Sequence, residues 1–175
     1  FWEEFGPSAL TMRIRAESMR DFGPAMSPHS AFLLLQGVET LSLRMKQHVQ
    51  NAIKLSKWLL EQPCVSWVNH PDLPENPTHQ IAKRLFPNGA GSMLCFGVKG
   101  GRKGGAAFID ALKLSSNLAN VGDSRTLVLH PASTTHSRLD DAAMKAAGSS
   151  PDLIRVSAGI ESITDIINDF KAGLK

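Results

Sequence analysis

Asn120-Val-Gly-Asp-Ser-Arg-Thr-Leu-Val-Leu-His-Pro-Ala-Ser-Thr-Thr-His136 and Leu153-Ile-Arg-Val-Ser-Ala-Gly-Ile-Glu161 are the two parts of the sequence that decide the fold. Each contains a short apolar run typical of a strand, and a polar turn and a helix-forming segment separate the two runs. Alternation in the second run places Arg155 on the face opposite Ile154 and Val156. The pattern therefore predicts strand, turn, helix and strand, with an arginine in the middle of the second strand.

Arg155 needs a partner, because removing an unpaired guanidinium from water is costly. The planar guanidinium group suits a carboxylate, which it binds through two parallel hydrogen bonds. Two sources of that carboxylate stay open. One is the protein itself, where Glu161 and Asp123 are the candidates, and the other is a bound ligand.

Length and composition predict a globular chain with a sizeable core, since 42% of the 175 residues are hydrophobic. No apolar run approaches the roughly 20 residues of a membrane span, and no signal sequence opens the chain. We therefore expect a cytoplasmic protein without a membrane partner. The net charge of +3 is spread among acidic residues without a basic patch, so no nucleic-acid partner is expected.

The cysteines and histidines do not predict a metal site. Cys64 and Cys95 form no Cys-x-x-Cys pair and lie in apolar segments, which predicts two buried thiols in a reducing compartment. His130 and His136 flank a turn, but zinc would need further ligands at characteristic spacing. We expect His136 to hold this turn through its ring nitrogens.

Several local patterns have a structural and a functional interpretation. Gly100-Gly-Arg-Lys-Gly-Gly105 suggests a phosphate loop, but it lacks the full motif, so a flexible connection into a helix over 106–114 is favoured. Arg44 and His48 lie one turn apart on a helical pattern, which predicts either a solvated face or a cap for a neighbouring loop. Ser137 is predicted to cap the helix that follows it.

Sequence motifs along nearly the whole chain resemble one enzyme family. The motifs occur in the order of that family: Phe22-Gly-Pro-Ala-Met-Ser-Pro28, Leu35-Gln-Gly-Val-Glu-Thr-Leu-Ser-Leu-Arg-Met45, Gly89-Ala-Gly-Ser-Met-Leu-Cys-Phe-Gly-Val-Lys-Gly-Gly101, Asn120-Val-Gly-Asp123, His130-Pro-Ala-Ser-Thr-Thr-His136 and Ile154-Arg-Val-Ser-Ala-Gly-Ile-Glu161. They resemble the pyridoxal-phosphate (PLP) enzymes of cysteine and methionine metabolism. Within that family, Ala119-Asn-Val-Gly-Asp123 resembles the O-acetylhomoserine sulfhydrylases more than the cystathionine synthases and lyases, which usually have Ser-Leu-Gly there.

The resemblance and the alternation of elements together imply the fold. We expect an α/β (α+β) domain with a sheet of about four strands covered by helices, as in the small C-terminal domain of a fold-type-I PLP transferase. Residues 1–62 would form a linker segment and a long inter-domain helix, which Gly37 would bend or divide into two helices in line. Residues 63–175 would form the substrate-binding small domain, and the N-terminal domain with the PLP lysine would lie outside this chain.

The resemblance also implies the roles of four residues. Arg155 would bind the substrate α-carboxylate, Asn120 and the backbone of Val121 would add hydrogen bonds to it, and Thr135 would orient the arginine. No catalytic or cofactor-binding residue is expected, because no lysine stands in the Ser-x-Thr-Lys setting of the Schiff-base lysine and the chain has no tyrosine.

The implied reaction is γ-replacement, in which sulfide or a small thiol displaces acetate from O-acetylhomoserine with PLP as cofactor. The implied assembly is a homo-oligomer, either a dimer or a tetramer. Two alternatives stay open: a sister enzyme such as a cystathionine γ-synthase, cystathionine γ-lyase or methionine γ-lyase, and a non-catalytic binding or assembly module.

Overall fold

The computed structural model describes residues 1–174. Internal contacts divide the chain into two compact units, one over Phe1–Thr40 and one that begins at Leu41. The predicted division at residues 62 and 63 concerns the domains of a longer enzyme and stays a prediction. Within residues 1–174, no helix combines the length and the hydropathy that a membrane span requires.

The first unit consists of helices joined by short non-helical segments, and none of its residues is buried. Its helices are α1 (Trp2–Phe5), α2 (Ala9–Arg13), α3 (Arg20–Phe22) and α4 (Pro28–Glu39), with a 3₁₀ turn at Gly6–Ser8 and a π turn at Ile14–Met19. The hydroxyl of Ser27 caps α4 by accepting from the amide of Ser30 at 3.1 Å. The long helical pattern breaks at Thr40 and not at the predicted Gly37, which lies inside α4.

The second unit is a sheet with helices. Its elements are α5 (Leu41–Leu60), β1 (Val65–Asn69), α6 (His79–Leu85), β2 (Met93–Val98), α7 (Gly101–Ala111), β3 (Ser116–Asn117), β4 (Leu127–Leu129), α8 (Asp141–Ala146), β5 (Leu153–Ser157) and α9 (Ile163–Gly173). The strand order is β1-β2-β5-β4-β3, and every pair is antiparallel except the parallel pair of β3 and β4. The strand that bears Arg155 is therefore the central one.

The predicted α/β class is confirmed, and the sheet has five strands where about four were expected. The additional strand is β3, which has only two residues. Such a short segment carries no periodicity, and only its pairing with β4 makes it a strand.

Helices α5, α7 and α9 build the core against one face of the sheet. At its centre Phe96 of β2, Phe108 of α7 and Phe170 of α9 are fully buried, with ring centroids 5.2–6.0 Å apart. Ile154 and Val156 point into the same core and are 0% exposed, as alternation predicted. Arg155 consequently lies on the other face of the sheet.

Two local predictions were wrong at helix starts. The glycine-rich segment is not a flexible connection, because α7 begins at Gly101 and includes it. A side chain at Gly104 would overlap the carbonyl of Lys99, and one at Gly105 would overlap the ring of His130, so glycine is required where the helix approaches them. Helix α8 is capped by Asp140, whose carboxylate accepts from a backbone amide at 2.8 Å, and not by Ser137.

Candidate functional site

Arg155 lies at the middle of the central strand, flanked on both sides by backbone. Its neighbours across the sheet are Cys95 on β2 and Leu129 on β4. Directly opposed residues in a sheet project to the same face, so these two side chains border the arginine. Arg155 is half-buried, which leaves part of the side chain open on the face that the three core helices do not cover.

Neither predicted internal partner pairs with Arg155. The Glu161 carboxylate accepts from the amide of Thr126 at 2.6 Å and from its hydroxyl at 2.9 Å. The Asp123 carboxylate faces Arg125 instead, at 3.4 Å. Within residues 1–174, no ion pair or hydrogen bond to the Arg155 guanidinium is found. A half-buried cation without an internal anion is suited to binding one from outside.

The loop before β4 carries the other two predicted carboxylate contacts. Asn120 and Val121 are exposed, and the amide of Val121 donates to the side-chain oxygen of Asn120 at 2.9 Å. The next residue, Gly122, has φ of 76° and donates from its amide to the hydroxyl of Ser157 at 3.4 Å. The loop therefore lies beside the end of β5, two residues beyond Arg155.

Thr135 lies in the turn after β4, where its hydroxyl is 2.8 Å from Nδ1 of His136. No hydrogen bond in the described chain joins Thr135 to Arg155, so its orienting role stays a prediction. The turn is held chiefly by His130, whose ring nitrogens each lie 2.9 Å from a partner, the hydroxyl of Ser133 and the carbonyl of Pro151. His136 also bonds within the turn through one ring nitrogen, as predicted, and His130 adds two bonds that the sequence did not predict.

The residues that follow Arg155 form a network that the sequence did not reveal. Gly159 donates from its amide to the Thr126 hydroxyl at 3.0 Å, and Ile160 donates to the Ser124 carbonyl at 2.9 Å. The Glu161 carboxylate completes this network by accepting both hydrogen bonds from Thr126. The end of β5 is thus joined to the loop that precedes β4.

Two side chains of α5 hold the same segment from the other side. Nδ1 of His48 lies 2.6 Å from the carbonyl of Ala158. The Asn51 amide donates to the carbonyls of Gly159 and Glu161, both at 2.9 Å. His48 is 0% exposed, so of the two structural predictions for it the solvated face was wrong and the contact with a neighbouring loop is confirmed. One feature of the sequence could have indicated these contacts: His48 and Asn51 are polar residues on the apolar stripe of α5.

Cys95 is the titratable neighbour of Arg155. Burial raises the pKa of the Cys95 thiol, and the positive charge of Arg155 partly opposes that rise. Cys64 and Cys95 are both free and half-buried, so the two predicted buried thiols are buried only in part. Cys95 and Arg155 are directly opposed on β2 and β5, so the charge of the guanidinium acts on the thiol across the sheet.

The described residues offer an anion site but no site for a metal or for an aldehyde. From residue 1 to residue 174, no group of three or more His, Cys, Asp or Glu side chains is placed to hold a metal ion. Every lysine from Lys46 to Lys171 is exposed, so none provides the enclosed amine that a Schiff base with PLP needs.

The five-stranded sheet with its helices is an α/β fold of the kind found in PLP-dependent transferases. The chain belongs to the family of Cys/Met metabolism PLP-dependent enzymes, whose model matches residues 8–175. This match confirms the family resemblance of the sequence motifs and, with it, PLP as the cofactor of the family.

Curated relatives and solved structures place the chain within that family. It is 48% identical over 172 residues to O-acetyl-L-homoserine sulfhydrylase 1 of Thermus thermophilus, covering 98% of this chain and 41% of the relative. It is 50% identical over 179 residues to the homocysteine/cysteine synthase of Saccharomyces cerevisiae, covering 97% of this chain and 40% of the relative.

Two crystal structures share the fold. One is an O-acetylhomoserine (thiol)-lyase from Campylobacter jejuni that carries a pyridoxyl-lysine monophosphate, with TM-score 0.85 and 36% identity, covering 98% of this chain and 41% of that one. The other is an O-acetylhomoserine sulfhydrylase from Wolinella succinogenes, with TM-score 0.77 and 38% identity, covering 99% of this chain and 46% of that one. The chain thus spans about two fifths of the length of the proteins that it matches.

Proposed function

We propose that this chain supplies the substrate-carboxylate site of a PLP-dependent O-acetylhomoserine sulfhydrylase. The complete enzyme replaces the acetate of O-acetylhomoserine by sulfide or a small thiol and forms homocysteine or its S-alkyl relative. The names of the relatives support the substrate and the reaction. The residues that bind PLP belong, in this proposal, to the part of the relatives that the chain does not match.

The observation that carries the proposal is the state of Arg155. It occupies the central strand, it is half-buried, and both carboxylates that could pair with it are engaged elsewhere. A guanidinium in this setting gains most from a ligand that presents two oxygens in one plane. An amino-acid α-carboxylate meets that requirement.

The loop of Asn120 and Val121 completes the carboxylate site. The amide of Val121 and the side chain of Asn120 are bonded to each other and exposed, so both can exchange that bond for one to a carboxylate. Holding the carboxylate at two points fixes the direction of the bonds at the substrate α-carbon. PLP supplies an electron sink for carbanions, and the role of this chain is to fix the orientation of the substrate.

Substitution of Arg155 in the complete enzyme tests the proposal. Arg155→Ala should lower kcat/KM for O-acetylhomoserine by about 30- to 900-fold, which corresponds to roughly 2–4 kcal/mol. Arg155→Lys should also be impaired, because an ammonium group lacks the two parallel donors. The visible absorbance of the bound cofactor should stay unchanged in both variants.

Arg84→Ala is a matched control, because Arg84 is an exposed arginine near the end of α6. It should retain the activity of the unmodified enzyme. Unchanged kcat/KM in Arg155→Ala would contradict the assigned role. Faster turnover of cystathionine than of O-acetylhomoserine by the unmodified enzyme would instead assign a sister reaction.

The proposal includes a cytoplasmic homo-oligomer, either a dimer or a tetramer. Helix α4 supports the assembly, because Phe32, Leu33, Leu34, Leu35 and Val38 are 56–63% exposed. Contiguous apolar surface of this kind is typical of an interface. Two free thiols agree with a reducing compartment. Light scattering of the complete protein should give a mass at least twice that of one polypeptide.

A further inference from the structure

The two parts of the proposed carboxylate site come from separate stretches of chain. Arg155 lies on β5, and Asn120 and Val121 lie on the loop before β4. A carboxylate held by both parts requires a fixed distance between them, because hydrogen bonds weaken steeply outside a narrow range. Something in the fold must therefore join the strand to the loop.

The Ser157–Glu161 segment provides that connection. It begins two residues after Arg155 and is bonded to the loop and to the start of β4 at four of its five residues. A side chain at Gly159 would overlap the backbone of Arg125 and Thr126 as well as the Glu161 carboxylate. The close approach leaves the segment little freedom to move relative to the loop.

Asn51 fixes this segment to α5. Its amide group donates to two carbonyls of the segment, those of Gly159 and Glu161, both at 2.9 Å. Its own side-chain oxygen accepts from Gln47 at 3.2 Å, which defines the orientation of the amide. Asn51 is 1% exposed, and removing its amide leaves two carbonyls without their donor.

We propose that Asn51 is a positioning residue for the carboxylate site, a role that rests on the function proposed above. Asn51 touches neither Arg155 nor the Asn120 loop through any hydrogen bond found in the described chain. It acts through the Ser157–Glu161 segment, whose position sets the distance between the two parts of the site. Glu161, the last residue of that segment, joins it to Thr126.

The test compares two ligands that differ only in the carboxylate. L-Norvaline has the amine and the carboxylate but no leaving group, and n-butylamine lacks the carboxylate. Calorimetric titration of the complete, cofactor-loaded enzyme gives the Kd of each. Asn51→Ala should weaken the binding of norvaline about tenfold and the binding of butylamine less than about twofold, because only norvaline has a carboxylate for the site to hold.

Combining Asn51→Ala with Arg155→Ala completes a double-mutant cycle. A residue that acts only by positioning Arg155 has no further effect once the arginine is gone, so the double variant should bind norvaline as weakly as Arg155→Ala alone. If the role of Asn51 were merely structural, Asn51→Ala would weaken the binding of both ligands, both with Arg155 present and with Arg155→Ala. Gln62→Ala is the matched control, since Gln62 is another amide near the end of α5 that donates to a carbonyl, that of Trp58.

Glu161→Gln keeps the size of the side chain and decides the question if Asn51→Ala does not fold. It should show the same preference for weakening norvaline. The positioning role would be overturned if these variants weakened the binding of both ligands equally or of neither, while Arg155→Ala weakened the binding of norvaline alone. That result would leave the proposed function intact. Unchanged norvaline binding in Arg155→Ala would refute the proposed function itself.

Discussion

Gly159→Ala is the substitution that most sharply tests the network beside Arg155. The φ of Gly159 is not in the left-handed region, so its backbone conformation permits alanine. The effect of the substitution therefore depends only on the space for the added methyl group. That methyl group would overlap the backbone of Arg125 and Thr126 and one oxygen of the Glu161 carboxylate. Backbone on one side and a bonded carboxylate on the other leave no flexible group to yield.

The expected cost has two parts. Overpacking at a closely packed position costs about 1–3 kcal/mol. Displacing the Glu161 carboxylate weakens its hydrogen bonds to Thr126, now 2.6 and 2.9 Å long, and bonds to charged groups contribute about 1.5–3 kcal/mol. We therefore expect the free energy of unfolding to fall by about 3–5 kcal/mol.

Urea unfolding of the purified chain measures this loss. Fluorescence reports on the second unit through Trp58 and Trp67, and circular dichroism checks that both probes give one transition. Gly37→Ala is the control, because its added methyl group meets nothing within 4 Å. It should stabilise α4 by about 0.5–1 kcal/mol. A loss below about 0.5 kcal/mol for Gly159→Ala would refute the close approach.

Three further predictions concern other parts of the chain. Burial raises the pKa of the Cys95 thiol and the charge of Arg155 lowers it, so Arg155→Ala should raise this pKa further. In a Cys64→Ser background, Arg155→Ala should then slow the alkylation of Cys95 by iodoacetamide near pH 8. An unchanged alkylation rate would show that the charge of Arg155 does not act on the thiol. Burial alone would raise the pKa of Asp169, but three backbone N–H groups outweigh it and lower that pKa. The stabilisation is therefore present above about pH 4 and is lost as the pH falls below that value, so Asp169→Asn should reduce the acid dependence of stability; an unaltered acid transition would contradict this. Asp140→Ala should cost about 1 kcal/mol in urea unfolding by removing the cap of α8, and no loss would show that the cap is not needed.

The parts of the structure that could be predicted are those where local pattern and burial agree. Alternation placed Ile154 and Val156 in the core and Arg155 on the other face, and the structure has that arrangement. Ile163, Ile166, Ile167 and Phe170 recur at helical spacing in the sequence of α9, and Ile166 and Phe170 are both 0% exposed. In such elements the periodicity of the sequence and the direction of the core coincide.

The features that were missed depend on partners far away in the chain. Gly104 and Gly105 disfavour a helix by propensity, yet α7 includes them because it packs against Lys99 and His130. Asn51 bonds to carbonyls more than 100 residues later, so its neighbours in the sequence give no indication of that role.

The state of Arg155 itself also required the structure. The sequence offered an internal salt bridge and a ligand as alternatives for its partner. The structure shows that the Glu161 carboxylate accepts hydrogen bonds from Thr126 and that the Asp123 carboxylate faces Arg125. Which carboxylate an arginine meets depends on the register and the turns between distant strands, and these are not encoded in local spacing.

A crystal structure of the complete, cofactor-loaded protein with L-norvaline tests the central claim most directly. Both oxygens of the norvaline carboxylate should lie about 2.7–2.9 Å from nitrogens of the Arg155 guanidinium. The amide of Val121 or the side chain of Asn120 should turn from their mutual bond toward the same carboxylate. A carboxylate bound more than about 4 Å from Arg155, with the guanidinium unchanged, would contradict the account.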